Sequence, residues 1–256
     1  MNTDTSCRDA LLRTYAERYE NSDFLTGDPS WFMHQVSGSL NQESMAFIAS
    51  ALSYGSRTQF MAKIQLLLDA SCGRVDEWVR TGRFTQLFTE SDERCFYRLY
   101  NNDTMHRFLT TYSHMLNAHG SLGDYLRGTG VSCCLNAVRA ICAYFSDPQN
   151  GPSSAVVPRT ADSACKRVCM FMRWMVRSGS PVDLGLWADF IDRRTLIMPL
   201  DTHVVTQSVR LGLLSSRTAS MSAAIKLTQR LAEIFPDDPL KGDFALFGYG
   251  VNNKKS

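Results

Sequence analysis

Two short blocks of the sequence carry residues of chemically useful type. One is SACKRVCMFMRWMVR, with Lys166 near its head and Arg167, Arg173 and Arg177 along it. The other is MPLDTHVV, which places Asp201 thirty-five residues after Lys166. Asp201 follows a proline-containing turn and precedes a helical run. Capping chemistry makes it an N-cap whose carboxylate accepts backbone N–H bonds, and such bonds hold a carboxylate ionised and fixed. The same placement also suits a plain structural cap. At about 100° per residue, Lys166, Arg173 and Arg177 fall within roughly 40° of one another on a helix. Most of the other positions are apolar (Val168, Cys169, Met170, Phe171, Met172, Trp174, Met175, Val176), so the helix is read as central and largely buried. A basic stripe there must reach a cleft, a carboxylate or a ligand phosphate, because buried charges are paired. Long Arg and Lys stems that snorkel to the surface are the other reading.

The charge distribution sharpens this. The 256-residue chain holds 27 Lys and Arg against 25 Asp and Glu, a formal net charge of +2. Residues 159–230 hold eleven Lys and Arg against five Asp, a surplus of six, so the rest of the chain is −4. That asymmetry fits a polyanion-binding face, although ordinary helix-surface charge also produces it. With 44% hydrophobic and 11% aromatic residues the chain can bury a sizeable core and is not disordered. No run of about 18 apolar residues exists, which argues against a membrane span. The start, MNTDTSCRDALLRTYAERYE, lacks the pattern of a secretory signal. The eight cysteines are therefore expected as reduced cytosolic thiols. They form no CxxC pair, and the five histidines form no HxH or HxxxH pair, so no metal site is expected.

The elements that must position these residues are helical nearly throughout. Helical spacing is read over Cys7–Tyr19, with Leu11, Leu12, Tyr15 and Tyr19, and residues 22–41 read as a loop. A helix follows from Gln42 to Tyr54 with Asn41 as its N-cap, then another from Thr58 to Ala70. Shorter helices are expected at 75–80, 91–99, 103–118 and 131–145. The segment SDPQNGPSSAVVPRTADS, residues 146–163, is a loop or linker. Helices are then expected over Ala164–Val176, from Asp201 or Thr202 to Leu211 with Gly212 closing it, and over Thr218–Ile234, with a short helical piece at Leu184–Phe190. The last helix starts near Pro239 with Asp238 as cap, and the tail NNKKS frays. The fold class is all-α, a single domain over 1–256. Its helical subdomains span roughly 42–145 and 159–250, with 1–41 as an N-terminal extension.

PLDTHV resembles the Asp-Thr-His segment of the helix-hairpin-helix DNA glycosylases. Lys166 at the head of a helix some thirty residues before the Asp is similar to the archaeal type of 8-oxoguanine glycosylase. So is the pair Asp243 and Phe247 in KGDFALFGYG, an acid and an aromatic four residues apart in the last helix. The chain also resembles a bacterial family of uncharacterised proteins sharing blocks like ACKRxxMFxRWMVR, PLDTHV and DFALFG. The resemblance covers about 42–72 and 159–250. It departs in three places: PRTADSACK stands where the family has a Gly-rich hairpin, Phe247 stands for a Trp, and Leu200 directly precedes Asp201.

The resemblance implies two helical subdomains flanking a cleft. It implies a bifunctional DNA glycosylase and AP lyase acting on DNA with a damaged base, an oxidised purine such as 8-oxoguanine. Lys166 is the Schiff-base nucleophile and Asp201 the catalytic carboxylate, with Asp243 and Phe247 in the base pocket. No cofactor and no membrane are involved, and a cytoplasmic monomer is expected. The chemistry is coherent. A carboxylate near C1′ stabilises developing positive charge and an amine captures it. The amine attacks only when neutral, a form that desolvation by Cys169 and Met170 and like charge from the arginines would favour. Arg167, Arg173 and Arg177 are candidates to hold phosphates, and Met170 or Phe171 to sandwich the flipped base. Arg57 and Gln59 could reach DNA or remain loop residues. Phe247 could also be plain core. A non-catalytic helical nucleic-acid-binding protein on the same scaffold, or a helical interaction protein, are the competing readings.

Overall fold

The computed structural model describes residues 2–253, with side chains from residue 5 onward. Among them, eleven α-helices account for most of the chain. They are α1 (Asn2–Tyr19), α2 (Ser39–Leu52), α3 (Arg57–Ala70), α4 (Val75–Arg80), α5 (Asn102–His119), α6 (Leu122–Gly128), α7 (Cys134–Ser146), α8 (Lys166–Val176), α9 (Thr202–Arg210), α10 (Met221–Ile234) and α11 (Lys241–Asn252). Short 3-10 helices lie at Ser22–Leu25, Pro29–His34, Arg83–Gln86 and Arg193–Thr195. The strands β1 (Cys95–Tyr97) and β2 (Tyr100–Asn101) form an antiparallel hairpin. None of the described helices is long and apolar enough to cross a membrane. The fraying expected at the tail falls, from residue 254 on, outside the described residues.

The chain divides into two compact units. One contains residues 1–26, 133–135 and 161–256, the other 27–132 and 136–160. The first 26 residues therefore go with the C-terminal segment, whereas 27–41 go with the middle of the chain.

In the middle unit, ten successive residues of α2, Glu43 to Leu52, are buried. Phe47 lies at the centre of an aromatic cluster, 5.7 Å from Phe108, 4.9 Å from Tyr112 and 5.3 Å from Phe145 between ring centroids. The buried carboxylate of Glu43 accepts from the backbone N–H groups of Leu122 (2.7 Å) and Gly123 (3.2 Å), at the exposed donors of the α6 N-terminus.

In the other unit, α8 is the central element, with every residue from Val168 to Val176 buried. Phe171 packs on Trp187 at 5.1 Å. Helix α11 presents small residues to its neighbours. A Cβ on Gly242 would overlap Leu231 of α10, one on Gly248 would overlap the Tyr19 ring of α1, and one on Gly250 would overlap the His203 ring of α9. These glycines let three helices approach one backbone.

Several sequence expectations are corrected. The stretch 91–99, expected helical, holds strand β1 and the turn of the β hairpin. Its turn has Arg98 at φ 52°, a left-handed residue with no glycine to announce it. Helix α6 lies where none was expected. Leu184–Phe190 forms turns rather than a helical piece. Asn41 is not a cap: α2 starts at Ser39 after Gly38, and the Asn41 side-chain Oδ1 instead accepts from Asp76 N–H at 3.1 Å. Asp238 does not cap α11, which starts at Lys241 behind Leu240, because the Asp238 carboxylate is bound by Arg177. None of the eight cysteines forms a disulfide: Cys7, Cys72 and Cys95 are exposed, Cys133 is half-buried, and Cys134, Cys142, Cys165 and Cys169 are buried.

Candidate active site

Asp201 ends a buried extended segment, Leu196–Leu200, which is pinned where Met198 N–H donates to Thr228 Oγ1 at 2.9 Å. As expected, Asp201 is the N-cap of α9: its Oδ1 accepts from Val204 N–H at 2.9 Å. Asp201 Oδ2 lies 3.3 Å from Lys166 Nζ, with the two side chains 37% and 31% exposed. One oxygen thus fixes the carboxylate on the helix while the second meets the amine.

Lys166 is the first residue of α8 and is set there by an unusual backbone. Cys165, directly before it, is buried at φ 42°, and no side chain caps the helix. A left-handed conformation costs a residue with a Cβ about 1–2 kcal/mol, so it persists only where packing enforces it. Around this corner Ala164 and Cys169 are buried, and Cys169 Sγ lies 3.6 Å from the Ala164 carbonyl. Strain of this kind clusters at functional positions.

The arginines further along the same stripe of α8 are paired inside. Arg173 and Arg177 are 3% and 2% exposed. Arg173 donates to Asp183 Oδ1 at 3.1 Å and to Asp243 Oδ2. Arg177 donates to Asp183, to Asp238 at 2.7 Å and 3.0 Å, and to Glu20 Oε1 at 2.6 Å. Both guanidiniums lie over the Phe244 ring, at 4.9 Å and 5.3 Å. Of the three destinations open to a buried basic stripe, these two residues take the carboxylate. Their charge is satisfied internally, so they are not phosphate contacts, and they do not crowd Lys166 with unpaired positive charge.

Asp243 links this network to the site. Burial raises its carboxyl above the ordinary range; Arg173 opposes that, and the negative charge of Asp201 adds to it. Its side chain keeps 19% exposure. Asp183 is likewise pushed up by burial, against the pull of both arginines. One turn after Asp243 on the same face of α11, Phe247 is half-buried. Phe171 is fully buried against Trp187 and so belongs to the core, not to a base sandwich. Met170 is 9% exposed on the buried helix. Arg167 is half-buried, one residue after Lys166. Arg57 and Gln59 are exposed in the first turn of α3, in the other unit.

Sequence reasoning missed the contribution of the first 26 residues. Glu20 joins the buried charge network, Tyr19 lies 5.6 Å from Phe247, and Phe24 lies 5.0 Å from Phe247 and 4.9 Å from Phe244. The spacing of Tyr15 and Tyr19 was legible as a helix face, but nothing local says which helix it packs against. Among the described residues, no three His, Cys, Asp or Glu side chains are grouped to hold a metal ion.

A model of a protein family described as "Protein of unknown function (DUF2400)" matches residues 28–252. No curated protein and no solved structure matches the chain.

Proposed function

We propose, from the chemistry of its site and the resemblance of its PLDTHV segment, that this chain, which belongs to the DUF2400 family of unknown function, is a bifunctional DNA glycosylase and AP lyase that excises an oxidised purine, of the 8-oxoguanine class, from DNA. The reading is carried by one observation. The Lys166 amine and the Asp201 carboxylate stand 3.3 Å apart at the starts of two helices, and solvent reaches both.

The target nucleotide leaves the duplex before reaction, at a cost of a few kcal/mol. Asp201 Oδ2 takes a proton from the Lys166 amine and stabilises positive charge as it develops at C1′. The amine forms a bond to C1′ while the N-glycosidic bond breaks, and its electron pair leaves with the base, which picks up a proton. The sugar opens to an imine on Lys166. Loss of a C2′ proton then expels the 3′ phosphate by β-elimination. Asp243, facing Arg173, supplies a polar contact to the base edge and Phe247 a stacking surface.

Borohydride reduction on DNA containing an abasic site tests this. The protein should form a covalent adduct, and Lys166→Ala should form none. An absent adduct, or one that persists in Lys166→Ala, overturns the lyase assignment. An excision panel of 8-oxoguanine, oxidised pyrimidines, uracil and alkylated bases then fixes the substrate. A non-catalytic nucleic-acid-binding protein is the second reading, since a Lys166–Asp201 ion pair also suits a purely structural role, and it predicts DNA binding with no adduct.

A further inference from the structure

We infer that the N-terminal segment Tyr15–Phe24 is the specificity wall of the proposed base pocket, with Phe24 and Tyr19 as positioning residues that hold the Phe247 ring. The inference rests on the reading of Phe247 as a pocket residue and names what fixes it there. Phe247 follows Asp243 by four residues and precedes Gly250 by three, so at about 100° per residue these three share one face of α11. That is the face on which Arg173 meets Asp243 and His203 meets Gly250. Phe247 also borders the α1 side of the helix, where two rings grip it edge to face. Phe24 is at 5.0 Å with an interplanar angle of 71°, and Tyr19 is at 5.6 Å with 75°.

Neither gripping ring is free to move. Phe24 is packed a second time, on buried Phe244 at 4.9 Å. Tyr19 lies over Gly248, accepts from Asn252 Nδ2 through its hydroxyl at 2.6 Å, and carries Arg18 over its ring at 5.7 Å. Phe24 itself sits in a short 3-10 turn whose Asn21 cap accepts from Asp23 N–H. Tyr15, Tyr19, Phe24, Phe247 and Tyr249 are all half-buried, so the cluster is an aromatic surface that solvent still reaches. Such a surface takes a flat heteroaromatic ring by stacking. The family match begins at residue 28, after this wall ends.

The test uses the full chain with Phe24→Ala, Phe24→Tyr and Tyr19→Phe. Three quantities are measured: single-turnover excision of 8-oxoguanine, cutting of a preformed abasic site, and the thermal midpoint. A stacking partner misplaced by about an ångström costs on the order of a hundredfold in rate. Excision by Phe24→Ala should therefore fall tenfold to a hundredfold, and abasic-site cutting should fall far less. Phe24→Tyr should restore excision, and the base panel should change order in Phe24→Ala. Parallel loss of both activities with the thermal midpoint would make Phe24 merely structural and overturn the wall, as would unchanged excision. If the unsubstituted protein neither excises nor cuts, the site reading itself fails and the wall falls with it. If it does both and only the Phe24 results disagree, the wall alone is lost.

Discussion

At 31% and 37% exposure, an ion pair such as Lys166–Asp201 contributes about 0–1 kcal/mol to stability. Lys166→Ala should thus unfold within about 1 kcal/mol of the parent, so a lost adduct reports chemistry and not unfolding. Asp201→Asn keeps an oxygen to accept from Val204 N–H and is the better partner variant than alanine, which also removes the cap. The buried acids behave differently. Asp183 is the buried carboxylate that bonds both arginines, and deleting it removes one partner from each of two buried cations; Asp183→Ala should cost about 3–5 kcal/mol in urea denaturation. Burial holds the carboxyls of Asp183 and Asp243 above the ordinary 3.8 despite the guanidiniums. The folded state therefore retains protons that the unfolded chain releases. The stability these protons contribute is fully present below 3.8 and is lost as pH rises through the raised values. The urea midpoint should decline over that window, and Asp243→Asn should flatten the decline; a midpoint that climbs with pH there would contradict the assignment.

Among the elements, α11 is the most tightly constrained. A Cβ on Gly248 would overlap the rigid Tyr19 ring and sit 3.1 Å from Tyr15 Cβ. Gly248→Ala should destabilise by about 1–3 kcal/mol despite alanine's better helix propensity, and a stabilised variant would show that α1 yields there. The capping motif of α9 was legible because PLDTHV acts within four residues of itself. So was the buried character of α8, whose apolar residues lie on most sides. What failed to read was settled at a distance. Asn41 has the right type for a cap, but the backbone N–H of Asp76, thirty-five residues on, takes its side-chain oxygen. Asp238 has the right type and position before Pro239, but Arg177 takes its carboxylate. The hairpin strands are three and two residues long, too short for alternation to show. Arg173 and Arg177 were correctly placed on one buried stripe with Lys166, yet the choice between carboxylate and phosphate rested on Glu20, Asp183, Asp238 and Asp243, scattered across more than two hundred positions.

For the whole molecule, the +6 surplus over residues 159–230 overstates the charge offered to a polyanion, since Arg173 and Arg177 are neutralised inside. DNA binding should accordingly be set by few phosphates and show a shallow dependence on salt. Removing one exposed contact, as in Arg57→Ala, should reduce the slope of log K against log salt concentration by about 0.9. An unchanged slope would remove Arg57 from the contact set. The sequence placed the basic surplus correctly along the chain but could not divide it between surface and interior.

The distribution of thiols has a consequence of its own. Burial pushes the Cys134 thiol up to about 12 and Cys169 well above its ordinary value, so neither offers thiolate to an alkylating reagent. Cys7, Cys72 and Cys95 are exposed. With Cys133 half-buried between these extremes, the folded chain carries sulfurs open to labelling and sulfurs shielded from it. Cys165, shielded and adjacent to Lys166, acts as a native reporter: its alkylation marks the moment the foot of α8 opens, with no dye, tag or DNA added.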